Sequence, residues 1–231
     1  MLNCSISKVD SKSRNGSSRT LLSPLNERLL LLKYKFDSRK YWDLRYEHNW
    51  NSGTGSYGES CESKARDFNI FMQKYNINSV IEFGCGDGNQ LTYYNIPEYL
   101  GLDVSPTAIK NCSNKFQDDQ TKSFMWYDPF AFNNKGNIFK ADATISIEVI
   151  FHLVEDEIFE KYMQDLFSCS REYVIIFSTN FDHEEKPVDH LVCRKFTDYV
   201  DQHFSPWNLL EEFDCIGESG EVYCRWFVYK K

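Results

Sequence analysis

No stretch of this 231-residue chain approaches the ~20 consecutive apolar residues that a bilayer span requires. The richest run, Leu29 to Leu32, is four long and lies between Arg28 and Lys33, so no membrane span is expected. None of the eight cysteines stands in a CxxC pair, and a chain of this length needs no disulfides to hold a core. They read as reduced thiols of a cytoplasmic protein. An excess of positive charge is also missing: 26 Lys+Arg face 34 Asp+Glu, a formal net charge of −8, which disfavours nonspecific binding to a nucleic-acid backbone. The N-terminus shows neither the apolar run nor the small-residue cleavage site of a secretory signal, although its Ser-rich, acid-poor character has something of an organellar transit segment. Internal repeats are lacking too.

With 42% hydrophobic and 16% aromatic residues, the composition suits one globular domain carrying an appendage. The charge is unevenly spread. Residues 1–40 hold nine basic and three acidic side chains, a net +6, which leaves −14 for residues 41–231. Residues 1–24 are Ser-rich, polar and aperiodic, and a disordered basic tail is expected there. The remaining 25–231 are expected to form one domain, with N-terminal helices and a Gly-rich lid over 25–78 and a sheet core over 79–231.

Helical spacing begins at Asn26 and continues through the aromatic stripe Tyr41, Trp42, Tyr46 to the Gly/Ser-rich segment Ser52–Gly58. Ser60–Tyr75 is again helical, with Ala65, Phe68, Phe71 and Met72 on one face. From Ser79 onward, strand-like and helix-like segments alternate. Strands are expected at 79–83, 99–104, 122–127, 141–147, 173–178, 207–215 and 222–229, and helices at 106–115 and 156–167. This pattern predicts an α/β fold: a doubly wound, mostly parallel, seven-stranded Rossmann-like sheet with a terminal antiparallel strand pair and an N-terminal helical lid.

The sharpest motif is Glu82-Phe83-Gly84-Cys85-Gly86-Asp87-Gly88, a strand running into closely spaced glycines, with a helix expected from about Asn89. The spacing is GxGxG, and Asn89 stands where GxGxxG would need its third glycine, so a dinucleotide pyrophosphate loop fits poorly. Glu82, just before the first glycine, would repel a phosphate and favour a cation. Asp103 closes the next strand, where a carboxylate can accept both hydroxyls of a ribose. In these two motifs the chain resembles the class I S-adenosylmethionine-dependent methyltransferases over roughly residues 40–231.

That resemblance implies a cofactor, S-adenosyl-L-methionine, and a set of residues to hold it. Gly84, Gly86 and Gly88 would line its methionine and ribose portion, Glu82 would be the acid of the first motif, and Asp103 would hold the ribose. Asp128 matches the place of an acid on the adenine amino group; as an Asp before a Pro it is equally a turn initiator. The segment Trp42–Gly58 resembles the lid of small-molecule members, which would bring Tyr46, Gly55 and Gly58 near the methionine end; the plain alternative is a flexible linker.

Methyl transfer from a sulfonium is an in-line displacement needing alignment more than covalent help. The candidates for deprotonating a hydroxyl acceptor are His152, whose other reading is a packing residue, and Glu148, both at the end of the fourth strand. Asn180, Asp182, His190 and Arg194 are candidates for binding the acceptor, against an ordinary solvated loop. Metal is not expected: Glu148, Asn180 and Asp182 have no diagnostic spacing, and His183, His190, Cys193 and His203 lack paired zinc spacing. Asp128-Pro129-Phe130 has one proline and follows the third strand, unlike the amino-methylating motif. The expected activity is methyl transfer to a small-molecule or glycan acceptor, with a hydroxyl favoured. A protein side-chain methyltransferase and a non-catalytic adenosine-binding module remain the alternatives.

Overall fold

Successive residues of a strand point to opposite faces, and the central strands here use both. Val80, Ile145, Ile175 and Val228 pack on one side of the sheet with Ala65, Phe68, Phe71 and Met72. Ile81, Ile176 and Phe227 pack on the other with Ile158, Met163, Leu166 and Phe196. Strands buried on both faces must be apolar throughout, which is why Val174 to Phe177 runs without a polar break. The computed structural model describes residues 36–182, 188–215 and 224–231. The tail expected over 1–24, the helix start at Asn26, His183 and the first residues of the last strand lie outside them.

The strands are β1 (Ser79–Phe83), β2 (Glu98–Asp103), β3 (Lys122–Trp126), β4 (Ala141–Ile147), β5 (Ser170–Ser178), β6 (Asn208–Asp214) and β7 (Arg225–Lys230). They form one seven-stranded sheet in the order β3-β2-β1-β4-β5-β7-β6. β1 to β5 pair in parallel, and β7 runs antiparallel to both β5 and β6. The terminal antiparallel pair is therefore present, with β7 inserted inside β6. Strand order reverses between β1 and β4, and the crevice at their carboxyl ends is where such sheets bind ligands.

The helices are α1 (Ser38–Glu47), α2 (Gly58–Lys74), α3 (Pro106–Lys115), α4 (Asp156–Ser168) and α5 (Phe196–His203). The Asp37 side chain caps α1, and the Ser105 hydroxyl caps α3 with Pro106 in its first turn. No helix among the described residues is long and apolar enough to cross a membrane. Cys61, Cys85, Cys112 and Cys169 are buried thiols.

Two elements differ from expectation. The helix expected from Asn89 is replaced by a short 3₁₀ turn, Gln90–Tyr93. Only residues 89–97 separate the glycine loop from β2, and Pro97 and two asparagines leave no room for a crossover helix. In its place α2 clamps the connection, with Asn69 bonding the Tyr93 carbonyl at 2.9 Å and the Asn95 amide at 2.9 Å. The second difference is α5, for which no element was expected, although Phe196, Tyr199 and Val200 recur at helical spacing and Phe196 and Val200 are buried.

Candidate active site

The glycine loop hangs from the end of β1. The amides of Gly84 and Cys85 both donate to the Leu102 carbonyl, at 2.7 and 3.0 Å. Below them, Asp103 accepts from the Gly86 amide at 2.9 Å and from the Ser105 amide at 2.9 Å. One carboxyl thus ties the loop to the start of α3. Burial pushes Asp103 up to about 6, against the pull of those two amides. Without a helix after the loop there is no helix dipole to receive a phosphate, which agrees with the acid at Glu82. Glu82 is itself buried and accepts from the Tyr99 hydroxyl; burial raises it to about 7.

Residues 52–57 are seated on this loop. Ser52 and Asp87 bond reciprocally, the Ser52 amide to the Asp87 carboxylate at 2.9 Å and the Asp87 amide to the Ser52 hydroxyl at 3.0 Å. The Tyr57 hydroxyl adds a 2.8 Å bond to Asp87, and Asn89 donates to the Ser56 carbonyl at 2.8 Å. Such close seating requires Gly86: its φ is +57°, and an added Cβ would lie 2.4 Å from the Ser52 hydroxyl and 3.0 Å from the Tyr46 hydroxyl. The segment where the resemblance implies a lid is thus bonded to the glycine loop. Of the three residues assigned to its methionine end, Tyr46 and Gly55 line the cavity beneath it and Gly58 does not, since Gly58 begins α2.

That cavity, of about 340 Å³, is at the low end of the ~300–1,000 Å³ usual for small-molecule sites. Glu82, Gly84, Gly86, Asp103, Glu148 and His152 share its wall. Gly88 packs instead against Cys112 of α3 and Phe116 just after that helix. Asp128 also lies outside the wall, in an adjoining hollow shared with Arg39, Val104 and Trp126. There it accepts from the Phe130 amide at 3.0 Å and faces Arg39 at 3.6 Å, so the turn reading describes its contacts.

Glu148 follows β4 in a left-handed conformation, φ +58°, which an L side chain adopts only when its surroundings impose it. Its amide bonds the Phe177 carbonyl at 2.8 Å, and its carboxylate pairs with Lys64 of α2. Lys64 is fully buried. Gly55 of the lid comes so near that a Cβ there would lie 2.3 Å from a Glu148 oxygen. Lys64, Ser52 and Asp87 were not legible as site residues. Asp87 sits inside the glycine motif, but a lysine in the middle of an amphipathic helix carries no mark of where it points.

His152 sits in a 3₁₀ turn after Glu148. Its Nδ1 donates to the His190 carbonyl at 3.1 Å, leaving Nε2 as an acceptor. Burial drives its pKa down to about 3, so the imidazole is neutral at ordinary pH but a weak base. His190 also lines the cavity. The other acceptor-binding candidates are engaged elsewhere. Asn180 bonds Thr197 at 3.0 and 3.3 Å, and Asp182 accepts the Lys195 amide at 3.0 Å, which together anchor the start of α5. Arg194 donates to the Leu153 carbonyl at 2.6 Å and pairs with Asp156 at 2.6 Å, bracing the start of α4. Among the described residues no group of three or more His, Cys, Asp or Glu is arranged for a metal.

No family model matches this sequence, and no curated protein matches it. Solved structures do. The N-methyltransferase NodS from Bradyrhizobium japonicum WM9, in complex with S-adenosyl-L-homocysteine, superposes with a TM-score of 0.65 at 12% identity, covering 84% of this chain and 98% of that one. Magnesium protoporphyrin IX methyltransferase (ChlM) from Synechocystis PCC 6803, with bound S-adenosylhomocysteine, gives 0.60 at 15% identity over 84% and 97%. An S-adenosylmethionine-dependent methyltransferase from Clostridium acetobutylicum ATCC 824 gives 0.57 at 13% over 76% and 93%. The chain has the class I methyltransferase fold.

Proposed function

We propose that this protein transfers the methyl group of S-adenosylmethionine to a small-molecule or sugar acceptor, a hydroxyl being the favoured nucleophile. The observation that carries this reading is Asp103, buried at the switch point, bonded to the Gly86 and Ser105 amides and still lining the cavity. A carboxyl so placed holds a ribose diol. The donor set fits a cation: Glu82, Asp87, Asp103 and Glu148 all face the cavity, and a sulfonium and an amine are favoured there. Structural neighbours hold S-adenosylhomocysteine.

The cofactor supplies an already activated methyl group, so the chain's own residues align and enclose. The lid residues Ser52–Ser56, seated on Asp87 and Asn89, exclude water. Glu148, fixed by Lys64, is placed to take the acceptor's proton, while His152 Nε2 orients the nucleophile. Asp128 would meet the adenine only if that ring extended into the adjoining hollow beside Val104.

Two measurements test this reading. In calorimetry with S-adenosylhomocysteine, Asp103→Ala should bind at least about tenfold more weakly, roughly 1.4 kcal/mol; undiminished affinity rejects the assignment. Labelled cofactor incubated with metabolite and glycan extracts should label small molecules. Label confined to protein would point to side-chain methylation, and binding without consumption to a non-catalytic module.

The pH profile separates His152 from the carboxyls. A diol binds best to an ionised Asp103 and a cation to an ionised Glu82, so affinity is full above about 7 and falls as pH drops through about 7 and then about 6. His152, neutral down to about 3, contributes no step near 6.5. His152→Asn should keep the Nδ1-like donor, lose about 10²-fold in turnover, and show the same acid limb as the parent. A limb that vanishes in this variant would restore His152 as the titrating base.

A further inference from the structure

The residues of α1 divide between two neighbouring faces of one helix, and each face meets a different part of the cavity. Trp42 and Tyr46 lie one turn apart, Trp42 toward His152 and Tyr46 toward the glycine loop, where its hydroxyl reaches Ser52 at 3.0 Å, above Gly86. Tyr41 and Arg45, also one turn apart, face the His190 loop. The Tyr41 ring stacks on His190 at 4.9 Å and 13°, and His190 stacks in turn on His152 at 5.8 Å and 18°. With Trp42 edge-on to His152 at 4.8 Å, these rings form an aromatic section of the cavity wall.

Arg45 stands at the end of that wall. Its guanidinium lies 5.5 Å from the Trp42 ring and 5.8 Å from the Trp50 ring, and its Nε donates to the Asn51 carbonyl at 2.7 Å. Stacking and this single bond hold the group in place. Among the described residues neither of its terminal amino groups has a hydrogen bond or an ion pair. The other cation lining the cavity, Arg39, is paired with Asp37 and Asp128, and the buried Lys64 with Glu148. In a segment whose net charge is −14 over residues 41–231, nearby carboxylates are plentiful, yet Arg45 is given none. Both imidazoles beside it are held neutral by burial, and its charge pushes them the same way.

A fixed guanidinium with two free amino groups matches a bidentate oxyanion. We propose that the acceptor carries an anionic group, a carboxylate or a phosphate ester, and that Arg45 selects it. This rests on the methyl-transfer reading for the identity of the acceptor, but the anion site itself does not. The anion would be gripped at the mouth while the ring wall aligns the rest of the acceptor toward Glu148.

Calorimetry with three probes on the free and the S-adenosylhomocysteine-loaded protein tests it: benzoate, phenyl phosphate and the uncharged benzamide. At least one anion should bind ten times or more tighter than benzamide, and the preferred one identifies the group as carboxylate or phosphate. Arg45→Gln should reduce that anion to the benzamide level without changing affinity for S-adenosylhomocysteine. Arg45→Lys, which keeps the charge but not the fork, should fall between. Equal binding of benzamide, absence of anion binding, or anion binding that survives Arg45→Gln overturns the proposal. So does a tenfold loss of S-adenosylhomocysteine affinity in Arg45→Gln, which would assign Arg45 to the cofactor's own carboxylate. If the parent discriminates anions but binds no S-adenosylhomocysteine, the methyl-transfer reading fails and the anion site stands.

Discussion

Glu148→Gln is expected to destabilise the fold by about 3–5 kcal/mol, the usual effect of leaving one partner of a buried ion pair uncompensated. The reason lies with Lys64, which is wholly enclosed and has Glu148 as its ion-pair partner among the described residues. Removing the carboxylate strands an ammonium in the interior beside the Phe177 ring, 5.4 Å away. The reverse change is milder. In Lys64→Met the orphaned Glu148 side chain keeps 24% exposure and can draw on water in the cavity. The double variant should recover most of the loss, because a neutral pair needs no counter-charge. For a chain of this size the single Glu148→Gln should lower Tm by about 10 °C, read by thermal unfolding with circular dichroism. If the two single changes cost the same, or the double variant is the least stable of all, the pair is not the electrostatic unit described.

The second large effect is expected at Gly86. Gly86→Ala forces an L side chain into φ +57° and drives a methyl group to 2.4 Å from the Ser52 hydroxyl, so the lid must lift from Asp87. Affinity for S-adenosylhomocysteine should fall by about 100-fold or more, equivalent to roughly 2.7 kcal/mol. Gly58 supplies the control. Its φ is +61°, nearly the same, but an added Cβ meets nothing within 4 Å. Gly58→Ala should therefore show the backbone strain alone, about 1–2 kcal/mol of stability, with cofactor affinity kept. Equal loss of binding in both variants would mean that strain, not the Ser52 contact, governs the lid.

Much of the fold was legible because its determinants are local. The unbroken apolar run of β5, the Ser105-Pro106 start of α3 and the amphipathic face of α2 each announce themselves within a few residues, and burial on both faces of the sheet follows from them. The helix expected after Gly88 failed because a glycine loop followed by mixed polar residues fits either a helix or a turn. The short connection to β2, pinned by Asn69 from another element, decided for the turn. α5 escaped notice although Phe196, Tyr199 and Val200 recur at helical spacing, because its eight residues are too short a window for that period to stand out and the residues anchoring its start, Asn180 and Asp182, lie more than ten positions earlier.

The same division runs through the site. The alternation of strand-like and helix-like segments was enough to indicate a doubly wound sheet, and the GxGxG spacing with the acids Glu82 and Asp103 carried the resemblance that implied a class of ligand, since those features depend on residues close together in the chain. Which polar groups are available for chemistry was decided only in three dimensions. Asn180, Asp182 and Arg194 look free in the sequence and are taken up by α5 and α4. Lys64 looks like a solvated helix residue and is the buried partner of Glu148. A side chain's charge is a property of the residue, but whether that charge is spent on the fold or left for a ligand depends on which distant neighbours the folded chain brings within reach.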